Sequence, residues 1–283
     1  MAERMVEVSG VEVCTEAFGN PGDPPVLLVM GMSASMMWWE TGFCERLADG
    51  RRFVIRYDHR DTGRSVTYPP GHPRYAGSDL VRDAAGVLDA YGLAAAHIVG
   101  MSMGGALAQL LALDFPDRVL SLVLISTSPA LPGERPLASS AERFRRFAST
   151  ARVDWSDTSA VVDYVVDYWR VLGGRQRGFD EAHIRELAQF DADRARDVAA
   201  AQNHGLLSDE NRPRAPLSSI AAPTLVVHGT DDPMFPLDHG AALADEIPNA
   251  KLLALSGAGH GIDPDDWDTV IGAIVDHTRA LSR

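Results

Sequence analysis

The pentapeptide Gly100-Met101-Ser102-Met103-Gly104 constrains the fold of this chain more than any other segment. It lies where a short apolar run, residues 97–100, meets a helix-like run of small residues, 104–115. A serine on such a tight turn is forced into strained backbone geometry, and the flanking glycines remove Cβ atoms that would collide there. The hydroxyl then projects from the turn, and the Met103 amide at the helix start points at an oxyanion forming beside Ser102. The motif predicts that Ser102 is a nucleophile and that Met103 is an oxyanion donor.

Short apolar runs alternate with longer amphipathic runs, which predicts an α/β fold with a mostly parallel sheet covered by helices. No long apolar strand occurs between Pro129 and Pro216. This region is therefore predicted to be an inserted helical cap, 129–216, on a core domain formed by 1–128 and 217–283. Strands are predicted at 26–30, 53–57, 97–100, 120–125, 224–228 and 251–255, and helices at 79–91, 104–115, 142–150, 159–172, 180–203, 239–246 and 265–281.

A serine nucleophile needs a base, and the chain offers nine histidines. Most of them lie in predicted strands or helices, where core packing or a solvated surface is the usual role. His260 differs because it lies in a loop of small residues, 256–261, directly after a predicted strand. Such a loop can bring an imidazole across the carboxyl edge of the sheet. We therefore expect His260 to be the general base.

The acid that orients the histidine should also follow a strand, and two adjacent aspartates, Asp231 and Asp232, meet this condition. Asp232 precedes Pro233, which holds it in extended geometry, whereas Asp231 is freer to face solvent or cap the turn. Asp232 is the preferred candidate and Asp231 the alternative. Its carboxylate would accept a hydrogen bond from the second imidazole nitrogen.

The chain order Ser102, Asp232, His260 resembles that of the α/β-hydrolase fold superfamily, and the resemblance extends over nearly the full length. Residues 58–65 resemble the loop after the fourth strand of that family, and residues 115–119 resemble the turn after its nucleophile helix. The resemblance implies a mostly parallel central sheet flanked by helices, an inserted cap and serine esterase chemistry.

The loop after the third strand departs from the pattern of many members. Met30 stands where they carry a histidine before Gly31, and Asp61 replaces a glycine in the next loop. The resemblance implies a second oxyanion donor at the backbone N–H of Met32. Together with Trp38, these departures resemble the actinobacterial branch that includes aclacinomycin methylesterase. That branch implies hydrolysis of the methyl ester of an anthracycline-like aromatic polyketide.

Methionines and aromatic residues adjoin the predicted catalytic loops. Unbranched thioethers suit a wide apolar cavity, and flat rings can stack on a ring system. The same residues at these spacings also fill ordinary cores, so both interpretations stay open. The candidate substrate contacts are Gly31, Met36, Trp38, Met101, Trp155, Trp169 and Met234.

Composition narrows the possible partners. Lys and Arg number 26 against 39 Asp and Glu, and the net charge of −13 disfavours nucleic acid. The chain has only two cysteines, no His-Glu-x-x-His motif and no glycine-rich phosphate loop. We therefore expect no metal site and no cofactor. The sequence shows no signal peptide pattern and no long apolar span. We therefore expect a cytoplasmic protein without a membrane partner. The expected partners are a small hydrophobic ester and water, and the oligomeric state is left open.

Other functions use the same three residues. The same triad could cleave a thioester, a lactone or a C–C bond, or carry out perhydrolysis. A ligand-binding protein on a hydrolase scaffold is the alternative outside enzyme chemistry. Dehalogenase and epoxide hydrolase chemistry is disfavoured, because those relatives carry aspartate where this chain has Ser102.

Overall fold

The computed structural model describes residues 2–133, 135–208 and 213–279. An eight-stranded sheet in the order β1-β2-β4-β3-β5-β6-β7-β8 dominates it. The pairs β1–β2 and β2–β4 are antiparallel, and the other neighbours are parallel. The strands are β1 Arg4–Val8, β2 Val11–Phe18, β3 Pro25–Val29, β4 Phe53–Tyr57, β5 Ala96–Met101, β6 Val119–Ile125, β7 Thr224–Gly229 and β8 Lys251–Leu255.

The helices cover the sheet and fill the region between β6 and β7. They are α1 Thr41–Asp49, α2 Gly77–Ala90, α3 Met103–Asp114, α4 Glu142–Thr150, α5 Thr158–Leu172, α6 Glu181–Arg194, α7 Leu237–Glu246 and α8 Trp267–Arg279. Short 3₁₀ segments include Met36–Trp38 and Val198–Leu206. The six strands predicted from sequence are all present, with ends that differ by a residue, and the α/β expectation is confirmed. The predicted end of the last helix, Leu281, lies outside the described residues.

The N-terminal hairpin and α1 were not predicted from the sequence. Strands β1 and β2 join through Ser9 and Gly10, which both have positive φ, 51° and 78°. Val8 pairs with Val11, so this is a two-residue loop, the connection that matches strand twist best. Strand β2 contains Glu12, Thr15 and Glu16. These polar residues interrupt the apolar run on which the strand predictions relied.

Alternate residues of the central strands pack against helices on opposite faces of the sheet. Leu27 and Val29 of β3 contribute to a core with α2, α3 and α7. Val26 and Leu28 of the same strand contribute to a second core with α1 and α8. Because both faces are covered, the central strands are apolar throughout, as parallel strands usually are. The carboxyl ends of these strands form one edge, to which the candidate site residues belong.

The prediction of a single helix at 180–203 is wrong. Helix α6 ends at Arg194, and a separate 3₁₀ segment occupies 198–206. The Arg196 N–H donates to the carbonyl of Gly63 (2.9 Å), which draws the chain out of the helix. Asp197 then starts the new segment by accepting a hydrogen bond from the Ala199 N–H.

Among the helices in the described part of the chain, none combines the length and the apolar character needed to cross a membrane.

Candidate active site

Ser102 lies at the turn between β5 and α3 with φ +54° and ψ −119°. A residue with a side chain is strained in this region, and surrounding contacts must hold it there. The Ser102 N–H donates to the Ile125 carbonyl at 2.9 Å. A Cβ on Gly100 would lie 2.3 Å from the Gly104 carbonyl oxygen, and a Cβ on Gly104 would lie 2.1 Å from the Val29 carbonyl oxygen. Only glycine therefore allows α3 to approach β3 and β5 closely enough to form the turn.

His260 and Asp232 form a buried pair. His260 Nδ1 lies 2.8 Å from Asp232 Oδ2, and His260 is 3% exposed. The other carboxylate oxygen of Asp232 accepts from the N–H groups of Met234 (2.8 Å) and Phe235 (2.9 Å). These two bonds fix the carboxylate in the loop after β7. The His260 backbone N–H donates to the Leu172 carbonyl at the end of α5, at 2.9 Å.

The structure brings Asp232, and not Asp231, to the histidine. The Asp231 carboxylate instead accepts from the Arg175 N–H at 3.3 Å. A second histidine, His228, lies 3.5 Å from the same Asp232 oxygen. Its Nε2 is also 2.7 Å from the Phe235 carbonyl, to which it donates, and burial lowers its pKa. His228 is therefore a neutral residue of the core rather than a competing base.

Ser102 and His260 follow separate strands. Within the described residues, no hydrogen bond joins the Ser102 hydroxyl to the His260 ring. Catalytic hydrogen bonds are often long in an enzyme without substrate and tighten when substrate binds. The structure thus brings the predicted base and acid into contact and places the predicted nucleophile on a strained turn.

Gly31 lies directly beside the candidate nucleophile. A Cβ on Gly31 would be 3.4 Å from Ser102 Cβ and 4.0 Å from Ser102 Oγ. The next residue, Met32, has a half-exposed side chain in the loop after β3. Within the part of the chain described, the N–H groups of Met32 and Met103 donate to no other protein group. Two such amides, if both point at the same oxygen, can bind an oxyanion.

His59 supports the loop after β3. Its Nε2 donates to the Met30 carbonyl at 2.9 Å, from the loop after β4. Burial lowers the pKa of His59 to about 3, so the ring is neutral. His59 was not among the predicted site residues, because nothing in the local pattern distinguishes it from other core histidines. Only the tertiary contact with Met30 identifies it.

A cavity of about 60 Å³ lies next to the site. Trp38 and Trp169 form one wall, stacked with ring centroids 4.8 Å apart and planes at 16°. Trp169 also covers Gly261, the neighbour of His260, because a Cβ there would lie 2.6 Å from the indole ring. Met101, the neighbour of Ser102, contributes to the lining. The remaining wall residues include Trp39, Phe43, Leu187, Ile262 and Trp267.

The other candidate substrate contacts lie elsewhere. Met36 is fully buried in a cluster with Cys14 and Met37. Trp155 packs edge-on against Tyr164 at 5.5 Å. Met234 lies in the acid loop and donates its N–H to Asp232. None of these three candidates lines the described cavity.

Within the described residues, no group of three or more His, Cys, Asp or Glu is placed to hold a metal ion. The expectation that the protein needs neither a metal nor a cofactor stays a prediction.

Comparison with known proteins identifies the family of the chain. Rhodomycin D methylesterase DauP from Streptomyces sp. strain C5 is 34% identical, over 100% of both chains. Rhodomycin D methylesterase DnrP from Streptomyces peucetius is 32% identical, also over 100% of both chains. The crystal structure of the esterase RhEst1 from Rhodococcus sp. ECU1013 superposes with a TM-score of 0.77 at 23% identity and covers 100% of both chains. Residues 24–262 match the family described as alpha/beta hydrolase fold, and the chain belongs to this family.

Proposed function

We propose that this protein is a serine hydrolase that cleaves a carboxylic ester through an acyl-enzyme. Ser102 is the nucleophile, His260 the general base, and Asp232 the residue that orients His260. The observation that carries the proposal is the buried 2.8 Å contact between His260 Nδ1 and Asp232, in a fold that presents Ser102 on a strained turn. A carboxylate at Nδ1 selects the tautomer whose Nε2 can accept a proton, and it stabilises the imidazolium that results.

Acylation begins when Ser102 Oγ attacks the ester carbonyl carbon. His260 Nε2 takes the hydroxyl proton as the new C–O bond forms. The carbonyl oxygen becomes an oxyanion, which accepts hydrogen bonds from the amides of Met32 and Met103. When the tetrahedral intermediate collapses, the bond to the alcohol oxygen breaks. His260 returns its proton to this leaving group, and the acyl group stays on Ser102.

Deacylation repeats the sequence with water. His260 takes a proton from the water molecule that attacks the acyl-enzyme, and the same two amides bind the second oxyanion. Collapse breaks the ester bond to Ser102, which regains its proton from His260. The products are a carboxylic acid and, from a methyl ester, methanol.

The substrate is the methyl ester of a bulky aromatic polyketide. The name methylesterase, borne by two relatives that are 34% and 32% identical over the full length, supports the methyl ester. The aromatic wall formed by Trp38 and Trp169 supports a planar acyl group, because indole faces stack on flat ring systems. The 60 Å³ cavity is far below the roughly 300 Å³ of typical ligand pockets. A polycyclic acyl group therefore requires this cavity to enlarge.

Residues 129–216 form the cap over this site. Two contacts support this division: Trp169 of α5 packs on Gly261, and Leu172 of α5 accepts the backbone hydrogen bond of His260. Both tie the inserted helices to the loop of the proposed base. Movement of α5 would therefore change access to the reacting carbonyl and the shape of the cavity together.

A substrate panel with wild type and Ser102→Ala tests the proposal. The panel contains short and long nitrophenyl esters and methyl esters of polycyclic aromatic acids, with methanol detection for the latter. We expect turnover of the polycyclic methyl esters by wild type and a loss of at least about 10³-fold in Ser102→Ala. Circular dichroism should show the same fold for both proteins.

The outcomes separate the substrate class from the mechanism. Turnover of simple nitrophenyl esters alone would leave a general carboxylesterase and contradict the polyketide substrate. Turnover retained in Ser102→Ala would contradict the nucleophile. Turnover of thioesters or lactones in place of all esters would assign the same triad to another bond.

A further inference from the structure

The loop that follows β3 is held by two buried histidines from different parts of the chain. His59, from the loop after β4, binds the carbonyl of Met30. His204, from the 3₁₀ segment between β6 and β7, binds the amide of Ser33, three residues later. The proposed oxyanion donor, Met32, lies between these two anchors. His204 is 171 residues away from Ser33 in sequence, so only tertiary structure joins them.

The two hydrogen bonds of His204 define its tautomer. The Ser33 N–H donates to His204 Nδ1 at 3.0 Å, so Nδ1 carries no proton. Nε2 therefore carries the proton and donates to the Arg60 carbonyl at 2.8 Å. The ring is 3% exposed, and burial lowers the pKa of His204, which keeps it neutral. Both ring nitrogens are thus used, and neither is available for acid–base chemistry.

Ser33 needs this support because its backbone is in the left-handed region, with φ +60°. A serine in this conformation persists when its surroundings determine it. The backbone N–H of Ser33 donates to His204, and its hydroxyl donates to the Ala201 carbonyl at 2.7 Å. Two hydrogen bonds from one segment, Val198–Leu206, therefore fix the residue directly after Met32.

The neighbouring helix α6 holds the remainder of the same loop. The buried carboxylate of Asp191 accepts hydrogen bonds from the Ser35 hydroxyl and from the Trp38 indole N–H, the latter at 2.8 Å. The region between β6 and β7 thus contacts this loop at Ser33, Ser35 and Trp38. The position of the loop depends on the inserted region as well as on the sheet.

We propose that His204 is a positioning residue for the oxyanion hole: by holding the Ser33 amide it directs the preceding amide, that of Met32, at the reacting carbonyl oxygen. The inference rests on the proposed function. In this inference a side chain of the inserted region, His204, supports the loop after β3. The Met30 side chain has no hydrogen-bonding group of comparable strength for this task. Since an oxyanion hole acts through donors already in place, a small rotation of the Met32 peptide weakens transition-state binding more than substrate binding.

Two substitutions of His204 separate its two hydrogen bonds. The amide oxygen of asparagine is as many bonds from Cα as Nδ1, so His204→Asn can still accept from Ser33 but loses the bond to Arg60. The amide nitrogen of glutamine is as many bonds from Cα as Nε2, so His204→Gln can still donate to Arg60 but loses the bond to Ser33. Each variant gives up one buried hydrogen bond, so a purely structural role predicts similar effects for both.

The measurements are the affinity for an aryl trifluoromethyl ketone, kcat and KM. The ketone forms a hemiketal with the serine nucleophile, and its oxyanion occupies the hole. We expect His204→Gln to weaken ketone binding and lower kcat by about tenfold or more, with KM within about threefold of wild type. His204→Asn should stay within about threefold of wild type in all three. Thermal unfolding of both variants serves as the control for folding.

Equal losses in the two variants, or no loss in His204→Gln, would overturn the positioning role while leaving the proposed function intact. If either variant fails to fold, amide hydrogen exchange in the wild-type protein provides the second measurement: the Ser33 N–H, which donates to His204, should be protected before the ketone binds. Rapid exchange of this N–H in the free protein would also overturn the role. If fluorine NMR detects no hemiketal between the ketone and the wild-type protein, the proposed function and the inference are both overturned.

Discussion

The two sides of the candidate oxyanion hole are built in different ways. The Met103 amide belongs to α3, which packs on the sheet through Gly100 and Gly104, and all of these residues lie within one pentapeptide. The Met32 amide belongs to a loop whose position depends on His204, which is distant in sequence. The first side is a property of the core, and the second joins the core to the inserted helices. The first side can therefore change only when the core itself changes, whereas the second can also change when the inserted helices move.

The largest effect on stability is expected from Gly104→Ala, on the core side. The new Cβ would lie 2.1 Å from the Val29 carbonyl oxygen and 2.6 Å from that of Met30, and backbone atoms cannot move aside. We expect a loss of about 3 kcal/mol or more in the free energy of unfolding, measured by urea denaturation.

Gly272→Ala is the matched control for that substitution. Gly272 is in α8, and a Cβ there would meet no atom within 4 Å. Alanine is the better helix former, so stability should rise by up to about 1 kcal/mol. Similar stability of the two variants would contradict the close packing of α3 on β3.

The largest effect on catalysis is expected at the acid. Asp232→Asn keeps the shape of the side chain but removes the charge and favours the wrong imidazole tautomer, so kcat should fall by about 10³ to 10⁴-fold. The adjacent control, Asp231→Asn, has no contact with His260 and should stay within about threefold of wild type in an ester assay. Equal losses in the two variants would mean that the 2.8 Å contact is not the functional one.

The smallest effect tests the hold of the core on the Met32 loop. Burial lowers the pKa of His59 from 6.5 to about 3. Between these pH values the unfolded chain binds a proton at His59 and the folded protein does not. The stability contributed by this neutral ring is complete above pH 6.5 and is lost as the pH falls toward 3. Between pH 7 and pH 5 this loss amounts to about 2 kcal/mol.

His59→Gln removes this titration and can keep the donor to the Met30 carbonyl. The decrease in unfolding free energy between pH 7 and pH 5 should therefore be about 2 kcal/mol smaller in His59→Gln than in wild type, by urea denaturation at both pH values. Identical decreases would mean that His59 is protonated in the folded protein and that its hold on the loop is of another kind.

The difference between the two sides also explains what the sequence could predict. The Ser102 turn, the parallel strands and the distinction between Asp232 and Asp231 depend on local geometry, which glycine, proline and apolar runs record directly. The roles of His59 and His204 depend on contacts between distant segments. The hairpin of β1 and β2 was missed for a related reason: its polar residues are neutralised by tertiary partners, as when Glu16 pairs with Arg56 of β4.

The break between α6 and the 3₁₀ segment belongs to the same class. Local periodicity favours one continuous helix, whereas in the structure the helix ends at Arg194 and the Arg196 N–H donates to Gly63. Without this break, residues 198–206 would continue the direction of α6 instead of forming the separate segment that brings His204 to Ser33.

The most direct test of the account is to locate the covalent adduct of a fluorophosphonate, which reacts with activated serines. The wild-type protein is treated with the reagent, digested and mapped by mass spectrometry. We predict a single adduct on Ser102, which is absent in Ser102→Ala and slower to form in His260→Gln. A wild-type protein that stays unlabelled, or an adduct on any other residue, would contradict the proposed mechanism.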